Sequence, residues 1–113
     1  MHKKEIAPQI DFADSSYESF EMKNNKLFIY LSSWDDKKIR ISFSNPIYFL
    51  FRLGSFVSGA FEKADNSAVL NEALLRYYEK VPDPHTFKFY FLEDIEDFAI
   101  VEVIAENVTI IKE

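Results

Sequence analysis

Residues 86–105 read Thr-Phe-Lys-Phe-Tyr-Phe-Leu, then Glu-Asp-Ile-Glu-Asp, then Phe-Ala-Ile-Val-Glu-Val-Ile-Ala. The two outer parts are rich in phenylalanine, tyrosine, valine and isoleucine, which suit the half-buried surface of a pleated strand. The acidic part between them has the polar character of a turn. This order predicts a long antiparallel hairpin, and the other elements are arranged around it.

Two segments in the first half of the chain predict a second hairpin. Residues 26–32 are apolar and β-prone, and residues 38–44 alternate strictly between apolar and polar side chains. A period of two with one polar face is typical of an antiparallel sheet that is solvated on one side. The polar segment 33–37 between them supplies the turn.

The remaining segments predict shorter strands and one helix over about residues 67–80. Within the helix, apolar side chains recur at helical spacing and form one stripe that faces the sheet. The stripe consists of Leu70, Leu74, Tyr77 and Tyr78. Further strands are expected at 16–22, 47–53 and 108–112, where a helical turn competes with a strand at 47–53 and the last strand forms a sheet edge.

The order of these segments predicts an α+β domain. We expect a mostly antiparallel sheet of about five to six strands, with the single helix packed on it. A chain of 113 residues suits one domain, 1–113, in which residues 1–25 form a partly ordered N-terminal arm. The most apolar window, 46–61, contains Arg52 and is too short and interrupted to span a bilayer.

The composition excludes several classes of site. There is no cysteine, which rules out disulfides, thiolate zinc sites and cysteine nucleophiles and fits a reducing cytoplasm. The N-terminus lacks the apolar run of a secretory signal. Residues 57–113 hold twelve acidic against five basic side chains, so a phosphate-backbone binder is disfavoured and a basic protein partner is compatible.

No catalytic motif is present, and we predict a protein without catalytic residues, cofactor or metal. The sequence has no nucleophile elbow, no zinc-protease helix and no phosphate-binding glycine loop. The acidic segment 93–97 lacks the ligand order of a calcium loop. His85, between helix and hairpin, is the one histidine outside the terminus and would mark a cleft if the protein bound a small molecule or acted as a minor enzyme.

Two polar turns supply the candidate binding residues for a protein partner. The first candidates are Trp34, Asp35 and Asp36, where an exposed tryptophan would anchor an interface; the alternative is that its ring folds back over the sheet edge. The second are Asp94, Glu96 and Asp97, which are expected to be solvent-exposed because an unpaired carboxylate is costly to bury. Stacked aromatics elsewhere are expected in the core, with the lining of a ligand cavity as the alternative; these are Tyr48, Phe49, Phe51 and Phe56.

The layout resembles that of the small acidic immunity proteins of bacterial polymorphic-toxin systems. Four segments carry the resemblance: Lys-Leu-Phe-Ile-Tyr-Leu-Ser-Ser-Trp (26–34), Lys-Ile-Arg-Ile-Ser-Phe (38–43), Phe-Tyr-Phe-Leu (89–92) and Ile-Val-Glu-Val-Ile-Ala-Glu (100–106). The resemblance implies a cytoplasmic, non-enzymatic protein that binds and blocks a cognate toxin, here a basic toxin domain.

Three functional hypotheses are therefore compatible with the sequence. The leading one is a non-catalytic bacterial interaction protein, a monomer or weak homodimer without nucleic-acid or membrane partners. The second is a small-molecule-binding domain or minor enzyme with a cleft near His85. The third is a structural homodimer.

Overall fold

The computed structural model describes residues 3–52, 56–63, 68–79 and 87–113. In these residues nine strands and one helix follow each other along the chain. The strands are β1 (Lys3–Glu5), β2 (Ser16–Lys23), β3 (Lys26–Ser32), β4 (Lys38–Ser44), β5 (Tyr48–Phe51), β6 (Gly59–Lys63), β7 (Lys88–Glu93), β8 (Ala99–Ala105) and β9 (Asn107–Lys112), with helix α1 (Ala68–Tyr78) between β6 and β7.

The strands form two antiparallel sheets. The five-stranded sheet has the order β1-β6-β7-β8-β5, and the four-stranded sheet has the order β2-β3-β4-β9. The α+β class is confirmed, but the expected five to six strands in one sheet are too few. The extra elements include β1 and β6, which are short and carry charged side chains, so they give little hydrophobic signal.

The predicted long hairpin is the middle layer of the fold. Four consecutive apolar residues of β7, Phe89 to Leu92, are buried, because helix α1 covers one face of the five-stranded sheet and the second sheet covers the other. Phe89 and Phe91 pack with the helix, whereas Tyr90 and Leu92 pack with the four-stranded sheet. Burial on both faces explains why this segment is continuously apolar instead of alternating.

The second predicted hairpin is also confirmed. β3 and β4 pair from Lys26 opposite Ser44 to Ser32 opposite Lys38. The apolar residues on the inner face of this hairpin are fully or almost fully buried against the five-stranded sheet; they are Leu27, Ile29, Leu31, Ile39, Ile41 and Phe43. The buried face of β4 is therefore the one that the alternating pattern predicted.

The helix is confirmed, but its predicted buried stripe is partly wrong. Leu70 and Leu74 are buried with Ala73 against the sheet. Tyr77 is 62% exposed because the helix contacts the sheet through its first two turns, and Tyr78 is also exposed. The helix is described as far as Tyr78, and residues 67 and 80, at the two predicted ends, lie outside the described residues.

The prediction that the last strand forms a sheet edge is confirmed. β9 is an outer strand of the four-stranded sheet, and β2 is the other. Residues expected as an N-terminal arm thus supply β1 to one sheet and β2 to the other. Over the described ranges, no helix is long and apolar enough to cross a membrane.

Candidate functional site: two equivalent hairpin turns

The turn between β3 and β4 and the turn between β7 and β8 have the same backbone geometry. In Ser33–Lys37 and Asp94–Phe98, the N–H of the first residue donates to the carbonyl of the fifth, at 2.8 and 3.0 Å. The N–H of the fourth residue donates back to the carbonyl of the first, at 3.0 and 3.2 Å. The fourth residues, Asp36 and Asp97, have φ of 62° and 61°, a left-handed conformation that aspartate tolerates better than most residues. We call these two segments the paired turns.

The paired turns lie at the same end of the two-layer β-structure. An antiparallel bridge joins Ser15, just before β2, to Val57, just before β6. The start of β2 pairs with the end of β3, which leads into the first turn. On the other side of the bridge, the N–H of Ser58 donates to the carbonyl of Glu93, which leads into the second turn. A short path of hydrogen-bonded strands therefore connects the two turns.

Each turn presents a large apolar side chain to solvent at its second position. Trp34 is 61% exposed and Ile95 is 86% exposed. Two phenylalanines belong to the same end: Phe98, which closes the second turn, is 46% exposed, and Phe56, next to the Ser15–Val57 bridge, is 57% exposed. The expectation that Phe56 belongs to the core is wrong, because its segment runs out to this end, and it is also wrong for Phe51, which is exposed on β5. Exposed apolar side chains grouped in this way mark interaction surfaces.

The first turn is held by a serine and an aspartate. The hydroxyl of the buried Ser33 donates to the carboxylate of Asp35, and the N–H of Asp35 approaches the Ser33 oxygen at 3.3 Å. Lys112 Nζ lies 3.6 Å from the other Asp35 oxygen. The hydrogen bond from Ser33, followed by weaker contributions that include Lys112, lowers the pKa of the Asp35 carboxyl. The carboxylate of Asp35 therefore helps to stabilise the turn.

The second turn is held by Asp94, and the prediction that this carboxylate is exposed is wrong. Only 8% of Asp94 is exposed, and one of its oxygens accepts hydrogen bonds from the N–H groups of Glu96 at 2.9 Å and Phe98 at 3.0 Å. The expectation assumed an unpaired carboxylate. Two backbone donors offset the desolvation, as is usual for aspartate at the start of a turn.

Glu96 and Asp97 are exposed as predicted, and Asp36 in the first turn is exposed as well. Together with Trp34 they make up the exposed part of the predicted site. Lys37 is the exposed basic side chain within the turns, so the surface carries an acidic excess. Apolar side chains with a surrounding acidic rim can bind the complementary surface of a basic protein.

The sequence prediction missed Ile95 and the common architecture of the two turns. Both turns read polar, large apolar, acidic, Asp: Ser-Trp-Asp-Asp and Asp-Ile-Glu-Asp. Aligning the two segments would have shown this signal. Phe56 and Phe98 carried no comparable signal, because their exposure depends on how the strands leave the sheet.

No metal site is found in the part of the chain that the structure describes, since no three acidic, histidine or cysteine side chains are grouped there. The cleft expected near His85 lies outside the described residues. Between the helix and β5, a cavity of about 360 Å³ is lined by Tyr48, Glu72, Ala73 and Arg76. Burial, and then the nearby Glu102 carboxylate, raise the pKa of the Tyr48 phenol, so this hydroxyl stays protonated at neutral pH.

No protein-family model, curated protein or solved structure matches the chain.

Proposed function

We propose that the chain is a non-catalytic binding protein that recognises a basic protein partner through the paired turns. The observation that carries this proposal is the repeated geometry. The two turns have one backbone type, and each exposes an apolar side chain that is followed in the sequence by two acidic residues. In the biological setting that the resemblance implies, the partner is a toxin domain and the chain is its cytoplasmic inhibitor.

The physical argument divides the surface into anchors and rim. Trp34 and Ile95 supply apolar area that is desolvated on binding, and tryptophan is among the residues that contribute most to binding energy. Asp36 and Glu96 lie beside them and remain exposed. Rim charges of this kind mainly raise the rate of association with an oppositely charged partner.

The experiment uses the purified product of the neighbouring reading frame as the partner. Its affinity is measured by biolayer interferometry for the wild type and for the Trp34→Ala/Ile95→Ala double variant. We expect the double variant to bind about a hundredfold more weakly, since two anchors of about 1–2 kcal/mol each are removed.

The matched control is Tyr77→Ala, which removes an exposed aromatic side chain of the helix. It should bind as the wild type does. Equal affinity of the double variant would remove the paired turns from the interface. A neighbouring protein that does not bind the wild type at all would reject the inhibitor hypothesis.

A further inference from the structure

Strand β2 is an outer strand of the four-stranded sheet, and it runs beside β5, an outer strand of the other sheet. Aromatic pairs connect the two edges. Tyr17 stacks on Phe51 with ring centroids 4.4 Å apart, and Phe20 meets the ring of Phe49 edge-on at 5.0 Å. Phe20 nevertheless remains 51% exposed and Met22 56% exposed. The two sheets therefore end side by side, and apolar side chains of β2 are exposed at this edge.

The hydrogen-bond phase shows which residues of β2 direct their backbone groups out of the sheet. The N–H of Asn45 donates to the carbonyl of Asn25 at 2.9 Å, so odd-numbered residues of β3 direct their backbone groups towards β4. Even-numbered residues of β3 therefore bond to β2, where they are paired with residues 19, 21 and 23. Because backbone direction alternates along an antiparallel strand, Phe20 and Met22 direct their N–H and C=O groups outward, where an added strand can pair with them.

The charges on the outer face of β2 are not balanced within one chain. Phe20 and Met22 are paired with buried residues of β3 and lie on the inner face, so Glu21 and Lys23 lie on the outer face. Lys23 is paired with Lys26, and like charges directly opposite each other destabilise a strand pair. Over the described ranges neither lysine forms an ion pair. An acidic residue on an added strand beside Lys23 would therefore stabilise this end of β2.

We propose that β2 pairs antiparallel with β2 of a second copy of this chain, so that the two four-stranded sheets form one eight-stranded sheet in a symmetric dimer. A two-fold axis at Met22 places Glu21 of each copy opposite Lys23 of the other, which gives two ion pairs on the outer face. These are non-hydrogen-bonded positions, where opposite side chains approach most closely. An axis at Glu21 would oppose two glutamates, and an axis at Phe20 would place Lys23 opposite Tyr17. The charges therefore select Met22 as the centre.

Strand β9, the other outer strand of this sheet, is less complementary to a second copy of itself. Its inner-face residues Val108 and Ile110 are partly buried against the core, whereas Phe20 and Met22 are more than half exposed. Its outer-face residues are uncharged; they are Asn107, Thr109 and Ile111. A junction between two β9 strands would gain no ion pair on the outer face and would bury less apolar surface on the inner face.

The dimer junction lies away from the paired turns. Ser16 pairs with Ser32 next to the first turn, whereas Lys23 pairs with Lys26 at the other end of the β2–β3 hairpin. At a rise of about 3.3 Å per residue, the strand between these ends is roughly 20 Å long. The paired turns therefore stay exposed in the dimer, and dimerisation stands whether or not they bind a partner.

Sedimentation velocity of the full chain over a concentration series measures the dimer. The wild type should shift from monomer to dimer as its concentration rises. In ¹⁵N-labelled protein the Met22 amide should gain protection from hydrogen exchange over the same series, because it donates to Met22 of the second copy. A chain that stays monomeric at millimolar concentration would overturn the proposal, and so would protection that appears at β9 instead of β2.

The two ion pairs are tested by Glu21→Lys and Lys23→Glu, each of which places like charges opposite each other twice in the dimer. Each variant alone should dimerise about tenfold more weakly, as expected for replacing two cross-strand attractions by repulsions. An equimolar mixture of the two variants restores opposite charges at both positions and should form a heterodimer within about twofold of the wild-type affinity. The mixture also shows that both variants are folded, since misfolded chains would not regain the association.

The matched control is Glu79→Lys, which changes the net charge as Glu21→Lys does. Glu79 is exposed and follows helix α1, on the side of the five-stranded sheet away from β2. This variant should dimerise within about twofold of the wild type. Equal weakening by Glu79→Lys would show that net charge alone controls association, and a mixture that associates no better than the single variants would show that Glu21 and Lys23 do not meet. Either result would overturn the proposal.

Discussion

The turns Ser33–Lys37 and Asp94–Phe98 share one backbone but are stabilised by different side chains. A serine hydroxyl holds the first, with Asp35 and Lys112 beside it. A buried carboxylate holds the second by two backbone hydrogen bonds. The comparison teaches that acidic residues in a turn divide into those that build the turn and those left for a partner. Counting acidic residues in the sequence does not separate them.

The largest difference between the turns should appear when their first residues are truncated. Asp94→Ala removes the acceptor for two N–H groups at a buried position. Hydrogen bonds to a charged group are worth more than neutral ones, so we expect a loss of about 2 kcal/mol in the free energy of unfolding. Urea denaturation followed by tryptophan fluorescence measures it.

The control for this prediction is Asp94→Asn, which keeps an oxygen acceptor of the same reach. It should cost less than about 1 kcal/mol. If Asp94→Ala is as stable as the wild type, the carboxylate does not hold the turn, and it would then count among the acids available to a partner.

Ser33→Ala is the equivalent truncation in the first turn and should have a smaller effect. The hydroxyl makes one hydrogen bond to Asp35 and one long contact with its N–H. We expect a loss of about 1 kcal/mol, measured by the same denaturation. A loss larger than that of Asp94→Ala would reverse the comparison and show that the first turn is the more dependent on its side chains.

Acid should weaken the first turn through Asp35. Its pKa is lowered in the folded protein, chiefly by the Ser33 hydroxyl, from the ordinary value of 3.8. A depressed folded-state pKa contributes stability that is fully present above the unfolded value and is lost as pH falls through the folded value. The stability difference between wild type and Asp35→Asn should therefore shrink below about pH 4.

The measurement is urea denaturation of both proteins from pH 6 to pH 2.5. A difference that stays constant over this range would show that the folded state does not favour the ionised form of Asp35. Ser33→Ala should flatten the same pH dependence, because it removes the largest cause of the shift.

Much of the fold could be predicted because local pattern and burial agree. The alternation in residues 38–44 gives the correct buried face of β4, and the continuous apolar pattern of 86–105 gives the central hairpin. The continuous pattern is also typical of a strand covered on both faces, but the expectation of one sheet did not draw the second sheet from it. β6 was missed because its five residues include Glu62 and Lys63, which carry no period-two signal.

The candidate site was predicted only in part. Trp34 and the exposed acids follow from the rule that turns are polar and lie at the surface. The burial of Asp94 does not follow from it, because the backbone donors that satisfy its carboxylate exist only once the turn has formed. The proximity of the two turns depends on sheet order, which local sequence does not encode.

The smallest effect on stability should come from the acids that point to solvent, Asp36 and Glu96. Asp36→Asn/Glu96→Gln should change the free energy of unfolding by no more than about 0.5 kcal/mol, since surface substitutions rarely do more and asparagine accepts the positive φ of Asp36.

The same double variant should slow association with a basic partner, most strongly at low salt, where charges act over longer distances. Stopped-flow association rates at 20 and 500 mM salt, chosen to span about 20 to 4 Å of Debye length, measure this. The rate ratio between wild type and variant should fall towards one at the higher salt. A ratio that is one at both concentrations would leave binding at the paired turns to Trp34 and Ile95 alone.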